Sequence, residues 1–112
     1  MAEAPQPLVV VTTVGSTDDA RRMAQAAVEL RLAACAQLST IESFYRWQGA
    51  VQHEPEVRIV FKTTEAAWPA LRAAILELHP YELPAIHAVR PAVVHEPYAR
   101  WIADETTKGA TP

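Results

Sequence analysis

The sequence predicts an α+β sandwich of order βαββαβ with an added C-terminal helix. Three observations predict it. A β-branched run stands near the start, two stretches of helical apolar spacing alternate with strand-like segments, and Gln48-Gly49 offers a two-residue hairpin turn between the middle strands. The 112 residues suit one compact domain, and the 50% that are apolar can build a core.

The elements follow in order. "LVVVTTV", Leu8 to Val14, is a continuous β-branched run, as in a strand covered on both faces. Gly15 turns the chain, and Ser16-x-x-Asp19 reads as a capping box with acids in the positive first turn. Ala20, Met23, Ala27 and Leu30 then recur at helical spacing, which predicts a helix to about Leu32. From Ala34 to Trp47, one strand face carries Ile41, Ser43, Tyr45 and Trp47. Leu38 and Phe44 fall on the other face, which suggests a bulge. The return arm ends in "EVRIVFKTT". There Val57, Ile59, Phe61 and Thr63 face one way, and Glu56, Arg58, Val60 and Lys62 the other. Pro55 cannot donate a ladder bond, so it marks an edge or a bulge.

A second helix is expected from about Ala66 to Leu78, with Pro69 near its first turn and Leu71, Ile75 and Leu78 as its stripe. Pro80 ends it, because the residue before a proline disfavours helical geometry. A last strand is expected from Ala85 to about Val94, then a short helix carrying Tyr98, Trp101 and Ile102. Right-handed crossovers fold this order into a ferredoxin-like sandwich, an antiparallel sheet with both helices on one face. The other face is left open. Tyr45, Trp47 and Val60 lie on it, and oligomerisation is the simplest way to bury them.

Composition narrows the partners. The net charge of −3, with basic residues scattered, argues against a nucleic-acid or membrane surface. The single cysteine, Cys35, excludes an internal disulfide and suits a reducing compartment. No apolar run reaches the ~20 residues of a spanning helix. The expected location is cytoplasmic, with delivery to an organelle from a longer precursor left open. Residues 1–7 and 106–112 are small, polar and proline-bearing. They read as loose tails around one domain, residues 8–105.

"LAACAQL", "FYRWQGAVQHEPEV", "FKTT", "HPYELP" and "YARWI", in this order and spacing, resemble the CutA family of divalent-cation tolerance proteins. The likeness runs from about Val9 to Trp101. It implies a homotrimer with sheets packed around a central axis, similar in shape to the PII signalling proteins. It also implies a role in the response to metal ions, with copper binding, inter-subunit clefts lined by polar residues, and no enzymatic reaction. The chain departs from the family pattern at four places: Ala85 where glutamate is usual, Arg90 for proline, Val94 for glycine, and Thr12 where some members carry a cysteine implicated in copper binding.

The candidate residues carry two readings each. His79 is the leading metal candidate, since imidazole is the commonest metal ligand; the plainer reading is a helix C-cap. Cys35 is a second candidate ligand or, among its alanines, a buried and inert thiol. Glu56, Lys62 and Tyr81 are cleft candidates, or a row of surface charges with a neighbouring ring. Tyr45 and Trp47 are interface anchors. His53, His87 and His95 show no ligand spacing. No cofactor is required on this reading, and copper or another divalent cation is the ion expected. The alternative function is a PII-like regulatory module that binds a small anionic metabolite or a protein at the clefts. An enzyme is the weakest reading, for want of a catalytic pair.

Overall fold

The computed structural model describes residues 6–107. Seven elements follow in the expected order: β1 (Pro7–Val14), α1 (Thr17–Glu29), β2 (Cys35–Trp47), β3 (Ala50–Thr64), α2 (Trp68–Leu78), β4 (Ile86–Val89) and α3 (Glu96–Glu105). One sheet runs β2-β3-β1-β4, with every neighbouring pair antiparallel. This is the ferredoxin-like sandwich that the sequence predicts.

The register sorts the faces. Val10 stands opposite Phe61, and Phe61 opposite Ala36, so even positions of β1 and β2 share a face with odd positions of β3. That face holds Leu8, Val10, Val14, Val57, Ile59 and Phe61, packed against Met23 and Ala27 of α1 and Leu71 and Ile75 of α2. Each large side chain fully buried there stabilises the fold by about 1.5–3 kcal/mol. The opposite face carries Val11, Val60, Ile41, Tyr45 and Trp47, as expected.

Several boundaries differ from the expectation, each for a local reason. The Ser16 hydroxyl accepts the Asp19 amide, as the capping box requires, but α1 stops at Glu29 rather than Leu32. Arg31 sits at φ 60°, a left-handed geometry that no helix continues. β2 has no bulge: its pairing with β3 is unbroken from Cys35–Lys62 to Trp47–Ala50. The turn is the expected one, with both Gln48 (φ 50°) and Gly49 (φ 80°) left-handed. α2 starts at Trp68 rather than Ala66, with the Ala67 amide donating to the Thr64 hydroxyl. β4 spans only Ile86–Val89, because Pro91 has no N–H to extend the ladder.

The tails are also corrected where they are described. Pro7 already pairs with Thr64. Thr106 is buried, its hydroxyl bonded to the Ile102 carbonyl, and the Thr107 amide donates to the Arg31 carbonyl at 2.7 Å. The rest of both expected tails lies outside the described residues.

Two features shape the open side. β1 ends opposite Val57, whereas β2 and β3 pair on to their turn. Residues 41–56 therefore project as a two-stranded ribbon, and the molecule measures 54 × 30 × 21 Å. Pro55 lies in that ribbon, where β3 has a neighbour on one side only, so its missing N–H can face outward. At the other end, the open face is not bare as expected. Lys62 and Gln37 belong to it by register, and Lys62 Nζ reaches both Gln37 (3.2 Å) and the Tyr98 hydroxyl (3.5 Å). α3 thus lies across that end of the face, anchored by buried Ala99 and Ile102.

Candidate functional site

The site grows from the segment that ends α2. Pro80 forces His79 out of the helix (φ −74°, ψ 129°), while the His79 amide still donates to the Ile75 carbonyl at 2.8 Å. The His79 side chain turns back under β1 and is only 8% exposed. Its Nε2 lies 2.9 Å from the Thr13 carbonyl, and its Nδ1 lies 3.2 Å from the Tyr81 amide nitrogen. An amide N–H can only donate, so Nδ1 must accept, and the ring proton resides on Nε2, donating to Thr13. The imidazole is therefore neutral. Burial holds its pKa below the ordinary value, against the opposing pull of the Thr13 carbonyl and the Glu56 and Asp19 carboxylates.

His79 in turn fixes Tyr81. The two rings lie 4.9 Å apart, and the Tyr81 hydroxyl donates to Glu56 Oε2 at 2.7 Å. Burial, reinforced by this bond to Glu56, raises the phenol pKa well above its usual value, so it stays a donor. Gly15 makes the arrangement possible. A Cβ there would meet the Tyr81 hydroxyl oxygen at 3.1 Å, closer than most side chains tolerate.

Glu56 and Tyr81 line a cleft of about 840 Å³ between the ribbon and the 80–85 turn. Tyr45, Trp47 and Arg58 form part of its wall, with Thr13 at its base. The Tyr45 phenol is pushed up in pKa by its packing and by Glu54 and Glu56. Among the described residues Arg58 makes no ion pair, so the cleft presents a free guanidinium beside a carboxylate already engaged by Tyr81. A second groove, between α1 and β2, has about half the volume, 410 Å³.

The sequence candidates divide. Glu56 and Tyr81 meet as a bonded pair, but Lys62 does not join them. It shares their face, yet six residues of β3 separate it from Glu56, about 20 Å at strand rise. Both ring nitrogens of His79, the leading metal candidate, are bonded within the protein, so an ion at this imidazole would have to displace the Tyr81 amide from Nδ1. Cys35 is half-buried opposite Lys62, rather than buried among alanines. His53 pairs with Glu42 at 2.9 Å and stacks on Phe44, while His95 is the N-cap position of α3. Among the described residues no group of three His, Cys, Asp or Glu side chains converges as a metal centre. Tyr45 and Trp47 are each 38% exposed on the cleft wall.

Sequence reasoning missed Thr13, Gly15 and Arg58. Thr13 acts through its backbone carbonyl, which no residue type signals. Gly15 acts by lacking a side chain, and a turn already accounts for it. Arg58 was legible, since it stands two residues from Glu56 on the same strand face.

A ferredoxin-like sandwich with a charged, aromatic cleft at the margin of one sheet face defines a small protein of the α+β class. A family model described as CutA1 divalent ion tolerance protein matches residues 8–105. The chain belongs to the CutA1 divalent ion tolerance protein family. It is 37% identical to the divalent-cation tolerance protein CutA of Pyrococcus horikoshii over 101 residues, 90% of this chain and 99% of that one. It is 41% identical to the protein of the same name from Thermus thermophilus, over 88% of this chain and 96% of that one. The solved structure of CutA from Synechococcus elongatus superposes with a TM-score of 0.88 at 37% identity, covering 95% of each chain. Among the described residues no helix is long and apolar enough to cross a membrane.

Proposed function

We propose that this chain serves divalent-cation tolerance as a homotrimer, and that its working site is the cleft, completed by a neighbouring copy. The observation that carries this reading is the position of the cleft. It lies at the margin of a sheet face that α3 covers at its other end only, and Tyr45 and Trp47 on that face are each 38% exposed. An apolar face of that kind is usually an interface. Both sheet edges, β2 and β4, are free to pair with another chain. The names of its relatives and the family match support the cation-tolerance role.

Within the cleft, Arg58 favours an organic anion as the ligand. An unpaired guanidinium recognises carboxylate or phosphate through a planar fork of donors, and the aromatic wall supplies apolar contact. This gives weight to the PII-like reading, a small anionic metabolite bound between subunits. Copper, the ion the resemblance implies, would draw ligands from more than one chain, because among the described residues of one chain no three converge. The location proposed is the cytosol, where a lone free thiol such as Cys35 stays reduced.

Calorimetry on the assembled protein separates these readings. A panel of small carboxylates and phosphates is titrated beside copper and zinc, on the natural sequence and on Arg58→Ala. Anion binding that is lost in Arg58→Ala supports the cleft. Tight copper binding with no anion response, unchanged by Arg58→Ala, overturns it. Chemical turnover of any panel member would make the protein an enzyme instead.

A further inference from the structure

We propose that the turn from His79 to Tyr81 is a proton-operated latch on the lip of the cleft: protonating His79 breaks its bond to the Tyr81 amide and lets the Tyr81 phenol leave Glu56. The inference concerns the lip itself, whatever ligand fills the cleft.

The geometry gives the two ring nitrogens unequal roles. Nε2 donates to the Thr13 carbonyl at 2.9 Å, and Nδ1 accepts from the Tyr81 amide at 3.2 Å. A proton taken from solvent can add only at Nδ1. The Thr13 bond survives it and becomes charge-assisted, so the ring stays docked under β1. The Tyr81 bond does not survive, because two N–H donors then face each other. The movable partner is the turn: Pro80 and Tyr81 are exposed, whereas Thr13 is held in β1 by its pairing with Arg58 of β3.

The consequence reaches the cleft through Tyr81. Its hydroxyl occupies Glu56 Oε2 and packs where Gly15 leaves room. Once its amide is released, that placement loses one of its two hydrogen bonds, and the Glu56 carboxylate is uncovered. The charges around His79 favour the switch without setting it off at neutral pH. Glu56 on β3 and Asp19 on α1 draw a proton to the ring, as does the carbonyl end of α2. Burial opposes them and prevails.

The test is NMR on the full chain in its native assembly. Tyr81 amide exchange is measured from about pH 7.5 to about pH 4.5 and corrected for intrinsic rate, while the His79 ring nitrogens report protonation. Tyr81 protection should fall about ten-fold, the worth of one hydrogen bond, in step with the His79 titration. The Val10 and Phe61 amides, in the central sheet, should hold. In His79→Asn the side-chain oxygen can still accept the Tyr81 amide but cannot titrate, so protection should be flat with pH. Gly15→Ala serves even if that variant fails to fold. It crowds the phenol without touching the imidazole, so it should loosen Tyr81 at neutral pH and move the His79 titration to higher pH. The proposal is overturned if Tyr81 protection is unchanged while His79 titrates, or if His79 stays neutral throughout. It is equally overturned if Gly15→Ala leaves the His79 titration where it was.

Discussion

Thr12 lies on the helix-covered face of β1, opposite Ile59 on one side and Ile86 on the other. It is 1% exposed, and its hydroxyl has no hydrogen-bond partner, alone in this among the buried side-chain polar atoms of the described residues. Thr12→Val replaces that hydroxyl with a methyl group and keeps the branched Cβ that a strand favours. A buried hydroxyl left unsatisfied costs about 1–3 kcal/mol, and one more buried methyl contributes about 0.8 kcal/mol. Imperfect fit takes back part of this gain, so a stabilisation of about 1–2 kcal/mol per chain is expected. Urea denaturation at fixed protein concentration measures it, because assembly makes apparent stability concentration-dependent. Thr63→Val is the control. Thr63 is equally buried, but its hydroxyl donates to the Leu32 carbonyl at 2.7 Å, so its loss should destabilise by about 1 kcal/mol. If Thr12→Val destabilises as much as Thr63→Val, the Thr12 hydroxyl has a partner after all and the reasoning fails.

Trp47→Ala should weaken assembly more than Trp101→Ala, by up to the ~3–5 kcal/mol typical of a buried aromatic, as read by subunit dissociation on dilution. Trp47 stands on the open-face ribbon and Trp101 on α3; equal effects would mean that the ribbon does not reach the interface. At Arg31 (φ 60°), Arg31→Val should cost more stability in urea than Arg31→Gly does, by about 1–2 kcal/mol. Both variants lose the contact to the Asp104 carbonyl, but only valine strains the backbone. Stability should also depend on pH through His79. Its folded pKa lies below the ordinary 6.5, so the unfolded chain binds the proton more readily. That contribution is complete above about pH 6.5 and declines as pH falls toward the folded pKa. His79→Asn should flatten this part of the curve, and an unchanged slope in that variant would assign the dependence to other groups.

The sequence carried the frame of the molecule well, for physical reasons that particular residues show. The β-branched run of β1, the Ser16 cap and the Gln48-Gly49 turn are local signals, and local geometry obeyed them. The face assignment of Tyr45, Trp47 and Val60 followed from strand parity alone. The bulge in β2 was a false inference from Leu38 and Phe44. Phe44 lies in the ribbon, beyond the helices, where an apolar side chain on either face can be exposed, and Phe44 is 69% exposed. The buried Thr106 was illegible, because its burial depends on α3 docking beside Arg31, far away in sequence. The site was half legible. Parity put Glu56 and Lys62 on one face, but parity does not measure distance. The role of His79 was hidden because its partner is the backbone of Thr13, 66 residues away.

The central claim is that the open sheet face and its cleft are completed by two further copies of this chain. Sedimentation equilibrium at micromolar concentration tests it most directly. The account predicts a single species near three times the 12.3 kDa chain mass, persisting on dilution, and converted to smaller species by Trp47→Ala. A stable, folded species at the mass of one chain, with the Tyr45 and Trp47 face still open, would contradict it.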